Sequence, residues 1–292
     1  MLFFVVNQKM NTYHNTPEII NSIEKSLKQK IETFFLSVYP VSHLVSHGLE
    51  HHRRVWEYAK ELISNSGISQ DESDPLFFRK IMIACYFHDI GMSADPGVRH
   101  GAISREQCTI YLRSNGISPI EHKDTLEAIE HHDNKEYTSL PSDNKILTIL
   151  SVADDLDAFG FIGIFRYIEV YLERNVPAEE IGYLIMENAS RRFDNFVNIF
   201  GSSSEYVQMQ RIRFEVLVNF FKEYNHQLSG YRFGTAHPSG YCGVMDIFIS
   251  VHNNSENIDL SNIFSKYSKD SVITWFYKGL SSELHPVRFK TL

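Results

Sequence analysis

Four side chains in this sequence are chemically suited to hold one divalent cation: His51, His88, Asp89 and Asp154. His51 begins the run HHRRVW, His88-Asp89 ends ACYFHDIGM, and Asp154 lies in ILSVADDLDAFG. Each is bordered by apolar residues, so each can project into an interior from a different helix. A buried aspartate beside a histidine is costly unless something compensates its charge. A divalent metal does so, and imidazole nitrogen with carboxylate oxygen suits several ions, so the choice among Mn, Fe, Ni, Co, Zn and Mg stays open. Two imidazoles and two carboxylates leave positions for water and substrate, as a catalytic centre requires.

The elements that must position these groups read as helices. Thr16-Pro17-Glu18 gives an N-cap, a first-turn proline and an acidic first turn. Ile20, Ile23, Leu27, Ile31, Phe34 and Val38 then recur at intervals of three and four, until Pro40. A second helix is expected from His47 to Asn65. A third opens at Asp74-Pro75, runs to Asp89 and stops at Gly91; it is apolar nearly all round, which marks it as buried and central. Further helices fit residues 99–115, 118–132, 142–158, 161–174, 177–200 and 203–229, with short Gly-, Pro-, Asn- and Ser-containing separators. After Gly230 the composition shifts to the turn formers of YRFGTAHPSGYCG, and DIFISVH alternates polar and apolar as a strand does. The expected architecture is an all-α bundle over residues 1–229 with a small C-terminal α+β extension over 230–292.

Bulk properties narrow the function. In 292 residues, 43% are hydrophobic and 22% charged, the balance of a globular chain with a sizeable core. A net charge of −8 argues against a general nucleic-acid surface. No apolar run approaches the ~20 residues of a membrane span. MLFFVV is short and lacks a preceding basic segment, which makes a poor secretory signal. Cys85, Cys108 and Cys242 form no CxxC pair, so a reducing cytoplasm is the expected compartment.

The order His…His-Asp…Asp, with the doublet ending a buried helix before Ile-Gly, resembles the HD superfamily of metal-dependent phosphohydrolases. Its first ligand precedes x-x-R-V, as His51 precedes Arg54-Val55; the doublet matches His88-Asp89, and the last aspartate matches Asp154. The stretch DDLDAFGFIGIFR is similar to a bacterial subgroup of HD hydrolases, and the resemblance spans residues 40–225. It implies an HD-type helical domain that hydrolyses a phosphomonoester or phosphodiester, with a nucleotide or related small molecule as the expected substrate. A homodimer is compatible with it.

Members with two metals carry extra histidines where this chain has His100, His131 and His132. These are candidates for a second ion or for substrate contact; a 100° divergence on a helix leaves open which of His131 and His132 turns inward. The core four are matched more securely, which favours one tightly held ion. Asp89 is expected to orient or deprotonate the nucleophile, and Arg54, one turn after His51, to meet phosphate. Asp155 and Asp157 are expected to touch substrate or to support a ligand. His47 reads as a capping or solvated residue, Arg191-Arg192 as a solvated face, and Trp56 and Cys85 as core. Two alternatives stand beside hydrolysis: a di-iron oxygenase on a similar scaffold, and a non-catalytic sensor that keeps the pocket.

Overall fold

The apolar run FFRKIMIACYF becomes a helix wrapped by its neighbours. In the computed structural model, which describes residues 16–39, 44–65, 74–134, 144–201, 204–254 and 260–284, this helix spans Pro75–Phe87. Asp74 caps it, its carboxylate accepting from the Leu76 N–H at 2.8 Å, and Pro75 fits a first turn that needs no donor. Phe78 and every residue from Ile81 to Phe87 are buried.

Before it come α1 (Thr16–Val38) and α2 (Leu49–Asn65); it is α3 itself. Then follow α4 (His100–Ser114), α5 (Lys123–His131), α6 (Lys145–Asp157), α7 (Gly160–Glu173), α8 (Ala178–Phe200), α9 (Glu205–Gln227), α10 (Gly240–Asn254), α11 (Leu260–Ser265) and α12 (Ser271–Leu284). Proline and turn formers keep residues 116–122 out of α5, which begins later than its pattern suggested. Pro40 and residues 142–143 lie outside the described residues.

The contacts divide the described chain within α6. One unit holds residues 16–39 and 47–154, and the other holds residues 44–46 and 155–284. In the first, α3 packs against α1, α2, α4 and α5. Ile23, Leu27, Ile31 and Phe35 of α1 are buried, as the spacing of its apolar residues predicts. On α2 the buried stripe contains His51, His52, Val55, Trp56, Ala59, Leu62 and Ile63.

In the second unit α8 and α9 pair, with Phe193 stacked on Phe214 at 4.4 Å between ring centroids. Here the sequence reading needs correction. The alternating run DIFISVH is helical, inside α10, and no strand occurs among the described residues. Asp246, Ile247 and Phe248 are buried while Ser250 is exposed, so burial follows one face of a helix rather than alternate residues of a strand. The described residues from 230 onward belong to the same compact unit as α7–α9. α10 and α12 pack on α7, Phe165 stacks on Phe248 at 5.2 Å, and Phe220 meets Phe276 at 5.7 Å. Glu283 of α12 accepts from the Ile162 N–H at 2.8 Å, placing an anion at the N-terminus of α7. Residues 230–284 are therefore built into the same core as α7–α9. No helix among the described residues is long and apolar enough to cross a membrane.

Candidate metal centre

Three helix ends and one helix face bring the four predicted ligands together. His51 sits in the first turn of α2, His88 caps α3 through its backbone N–H to the Ala84 carbonyl, Asp89 follows in the turn, and Asp154 lies near the end of α6. None is more than 5% exposed. His51 Nε2 and His88 Nε2 are 3.0 Å apart. Asp89 Oδ2 lies 3.4 Å from the first and 3.5 Å from the second. Asp154 Oδ1 lies 3.7 and 3.8 Å from the same two nitrogens. Donors held about 2.1 Å from one ion are spaced roughly 3.0–4.2 Å apart, from right-angle to opposite positions. The donor set therefore fits a single divalent ion.

The tautomers agree. His88 Nδ1 donates to the Cys85 carbonyl at 2.9 Å, which leaves a lone pair on Nε2 facing the group. The same carbonyl faces Nδ1 of His52 at 3.2 Å. His52 is fully buried, and that burial, with His88 and His51 adding to it, holds its imidazole well below the ordinary range. Its Nε2 has no hydrogen-bond partner among the described residues. Sequence reasoning passed over His52; the signal was its place on the Trp56–Ala59 stripe, one residue beside a ligand.

A second group shares Asp89. Its Oδ1 lies 2.9 Å from His132 Nε2 and 3.5 Å from His100 Nε2. Both rings commit Nδ1 to a backbone carbonyl: His132 to Ile129 at 2.8 Å, His100 to Gly97 at 2.6 Å. Both Nε2 atoms then present lone pairs to a carboxylate oxygen, an arrangement that calls for a cation between them. Two glycines permit this approach. A Cβ on Gly91 would strike the His100 carbonyl oxygen, and one on Gly101 would strike that of Glu130 at the crossing of α4 and α5. Ser104 Oγ accepts from the Gly91 N–H at 2.9 Å, and Ser151 Oγ of α6 donates to the His132 carbonyl at 3.2 Å.

Electrostatics point the same way. Burial would push Asp89 up, but His88, His132 and His51 outweigh it and hold the carboxyl well below the carboxylate range. Burial keeps His88 below the usual imidazole value. At His132 burial acts downward and is outweighed by the Asp89 hydrogen bond, so the ring is raised. An ionised Asp89 surrounded by imidazoles is a cation-seeking centre.

The other predicted residues divide. His132 turns inward, whereas His131 is half exposed beside Glu130 and belongs to neither group. Arg54 is half-buried on α2. Asp155 and Asp157, expected to touch substrate or to support a ligand, both have no exposed surface. Asp155 pairs with Arg192 at 2.8 Å and Asp157 with Arg166 at 3.3 Å, so each charge is neutralised inside the protein. Arg192, expected on a solvated face, is the partly buried partner of Asp155; Arg191 is the exposed one. His47 is buried with its ring 5.3 Å from that of His51, rather than solvated. The three cysteines are free and buried.

Residues 48–158 match the family model of the HD domain, a span that contains every member of both groups. Among solved structures, the fold is similar to a protein from Lactobacillus plantarum crystallised as a structural genomics target. The two are 17% identical, with a TM-score of 0.50 over 69% of this chain and 96% of that one. Among curated proteins there is no match.

Proposed function

We propose that this chain, whose residues 48–158 match the HD-domain family model, is a metal-dependent phosphohydrolase acting on a phosphomonoester or phosphodiester, with a nucleotide or related small molecule as substrate. The observation that carries the reading is the convergence of His51, His88, Asp89 and Asp154 on one buried point from α2, the end of α3 and α6. When bound there, a divalent ion supplies hydroxide near neutral pH and polarises the phosphoryl oxygen.

The chain's own residues do the rest. His51 and His88 offer their Nε2 atoms, His88 with its tautomer fixed by the Cys85 carbonyl. Asp89 directs one oxygen at each group and so fixes the distance between them. Its carboxylate, held ionised, is the group we assign to orient the nucleophile beside the ion. Arg54, one helical turn after His51, is the cation assigned to phosphate.

The second group keeps one other reading open to test, because a carboxylate shared by two sets of histidines also suits di-iron oxygen chemistry. One preparation discriminates them: metal content, phosphate release from a nucleotide and phosphoester panel with Mn, Co, Ni and Mg, and oxygen uptake. Phosphate release that follows metal loading supports hydrolysis. Two irons with substrate-dependent oxygen uptake and no phosphate release would overturn it.

A further inference from the structure

The two groups are unequal in charge. The first has Asp89 and Asp154 to balance a divalent ion, while the second has only the other oxygen of Asp89 with His100 and His132. Two divalent ions against two carboxylates leave a surplus of two positive charges in a centre with almost no exposed surface. Such a surplus is expensive without a further anion. One carboxylate stands at the edge of the second group. Asp133 follows His132, its side chain is 43% exposed, and its Oδ2 lies 4.0 Å from His100 Nε2. That distance is within the span of roughly 4.2 Å that two donors of one ion can have. Asp133 stands outside the group whose donor atoms all lie within 4.8 Å of one another, however, so its side chain must rotate to complete the set. Its charge also acts on the His132 ring.

We propose that Asp133 supplies the fourth protein donor of a second divalent ion, held otherwise by Asp89, His100 and His132. Asp133 brings the surplus down to one positive charge, which an anionic substrate neutralises. It is also the only member of the set with a substantially exposed side chain, so it borders solvent. The inference rests on the metal-dependent reading of the first group, and its test separates the two.

The test is Mn²⁺ titration of the metal-stripped full chain by calorimetry, with electron paramagnetic resonance to detect coupling between two Mn²⁺ ions. The parent should bind two ions with a coupled spectrum. Asp133→Asn should weaken the second by roughly 10- to 100-fold, abolish the coupled signal at moderate Mn²⁺ and leave the first within about twofold. Asp133→Glu should restore much of the loss. Glu121→Gln, which removes an exposed carboxylate that neither group contains, should behave as the parent. Two ions bound by Asp133→Asn with parental affinities would overturn the assignment. A parent that binds one ion would overturn it while leaving the four-donor centre intact, and a parent that binds none would overturn both.

Discussion

At the scale of single residues, the centre is defined by which nitrogen of each histidine is already committed. His88, His100 and His132 each donate Nδ1–H to a carbonyl three residues earlier, at 2.9, 2.6 and 2.8 Å, so their Nε2 atoms are the metal-facing ones. His88 and His132 sit just past a helix C-terminus, where carbonyls are left without intrahelical partners, while His100 opens α4 and reaches back to the carbonyl of the preceding turn. The sequence shows the histidines but not this commitment, and so could not separate His131 from His132. His132 is the first residue past α5 and bends back onto Ile129, while His131 stays on the outer face. The two should therefore respond differently to mutation. His88→Ala should lower affinity for the first ion by about 100-fold and abolish phosphoester hydrolysis, with helical content retained; His131→Ala should leave both within about twofold. Metal analysis after dialysis, alongside far-ultraviolet circular dichroism, is the check. Parental metal content in folded His88→Ala would refute the ligand assignment.

At the scale of elements, helices were legible where their apolar residues repeat or run unbroken, and one was misread where polar and apolar residues alternate over a short run. α1 and α2 present one apolar stripe, and α3 is announced by Asp74-Pro75 and by its unbroken apolar run. DIFISVH failed because β-branched and aromatic residues suit a strand in isolation, and only packing on α7 and α12 makes them a buried helix. The crossing of α4 with α5 was also not legible. It depends on Gly101, whose missing side chain lets the Glu130 backbone approach, and a lone glycine inside a helical pattern carries no such message. That crossing sets the separation of His100 from His132, so Gly101→Ala should act on the second group alone. The expected result is a stability loss of about 1–3 kcal/mol from overpacking, with second-ion affinity reduced about tenfold and the first unchanged. Calorimetric titration beside chemical denaturation reads both quantities. Unchanged affinity for the second ion would show that the approach of α4 to α5 does not control it.

At the scale of the whole molecule, every member of both groups lies between residues 51 and 154, within the family match, yet the described chain continues through six further helices. The sequence made the first part legible because its chemistry is written in ligand types and order. The remainder has no such code, and its integration rests on aromatic packing and on buried charges, neither of which spacing reveals. Glu169 of α7 is the clearest of these charges. It is buried, and its oxygens accept from the Val45 N–H at 2.8 Å, the Ser46 N–H at 2.9 Å and the Ser46 hydroxyl at 2.5 Å. Burial dominates these bonds and the nearby Arg166, and raises the carboxyl to about 7. In the unfolded chain it returns to the ordinary value near 4.3. Between those two values the folded protein holds a proton that the unfolded chain has lost. Its contribution to stability is therefore complete below about pH 4.3, declines as pH rises and is lost above about 7. The window corresponds to about 4 kcal/mol at most. Glu169→Gln removes this titration. Urea unfolding at intervals from pH 5 to 8 should show stability falling less steeply with pH in the variant than in the parent, even if the amide lowers stability overall by meeting three donors. Parallel curves for the two proteins would mean that Glu169 does not carry its proton into the folded state.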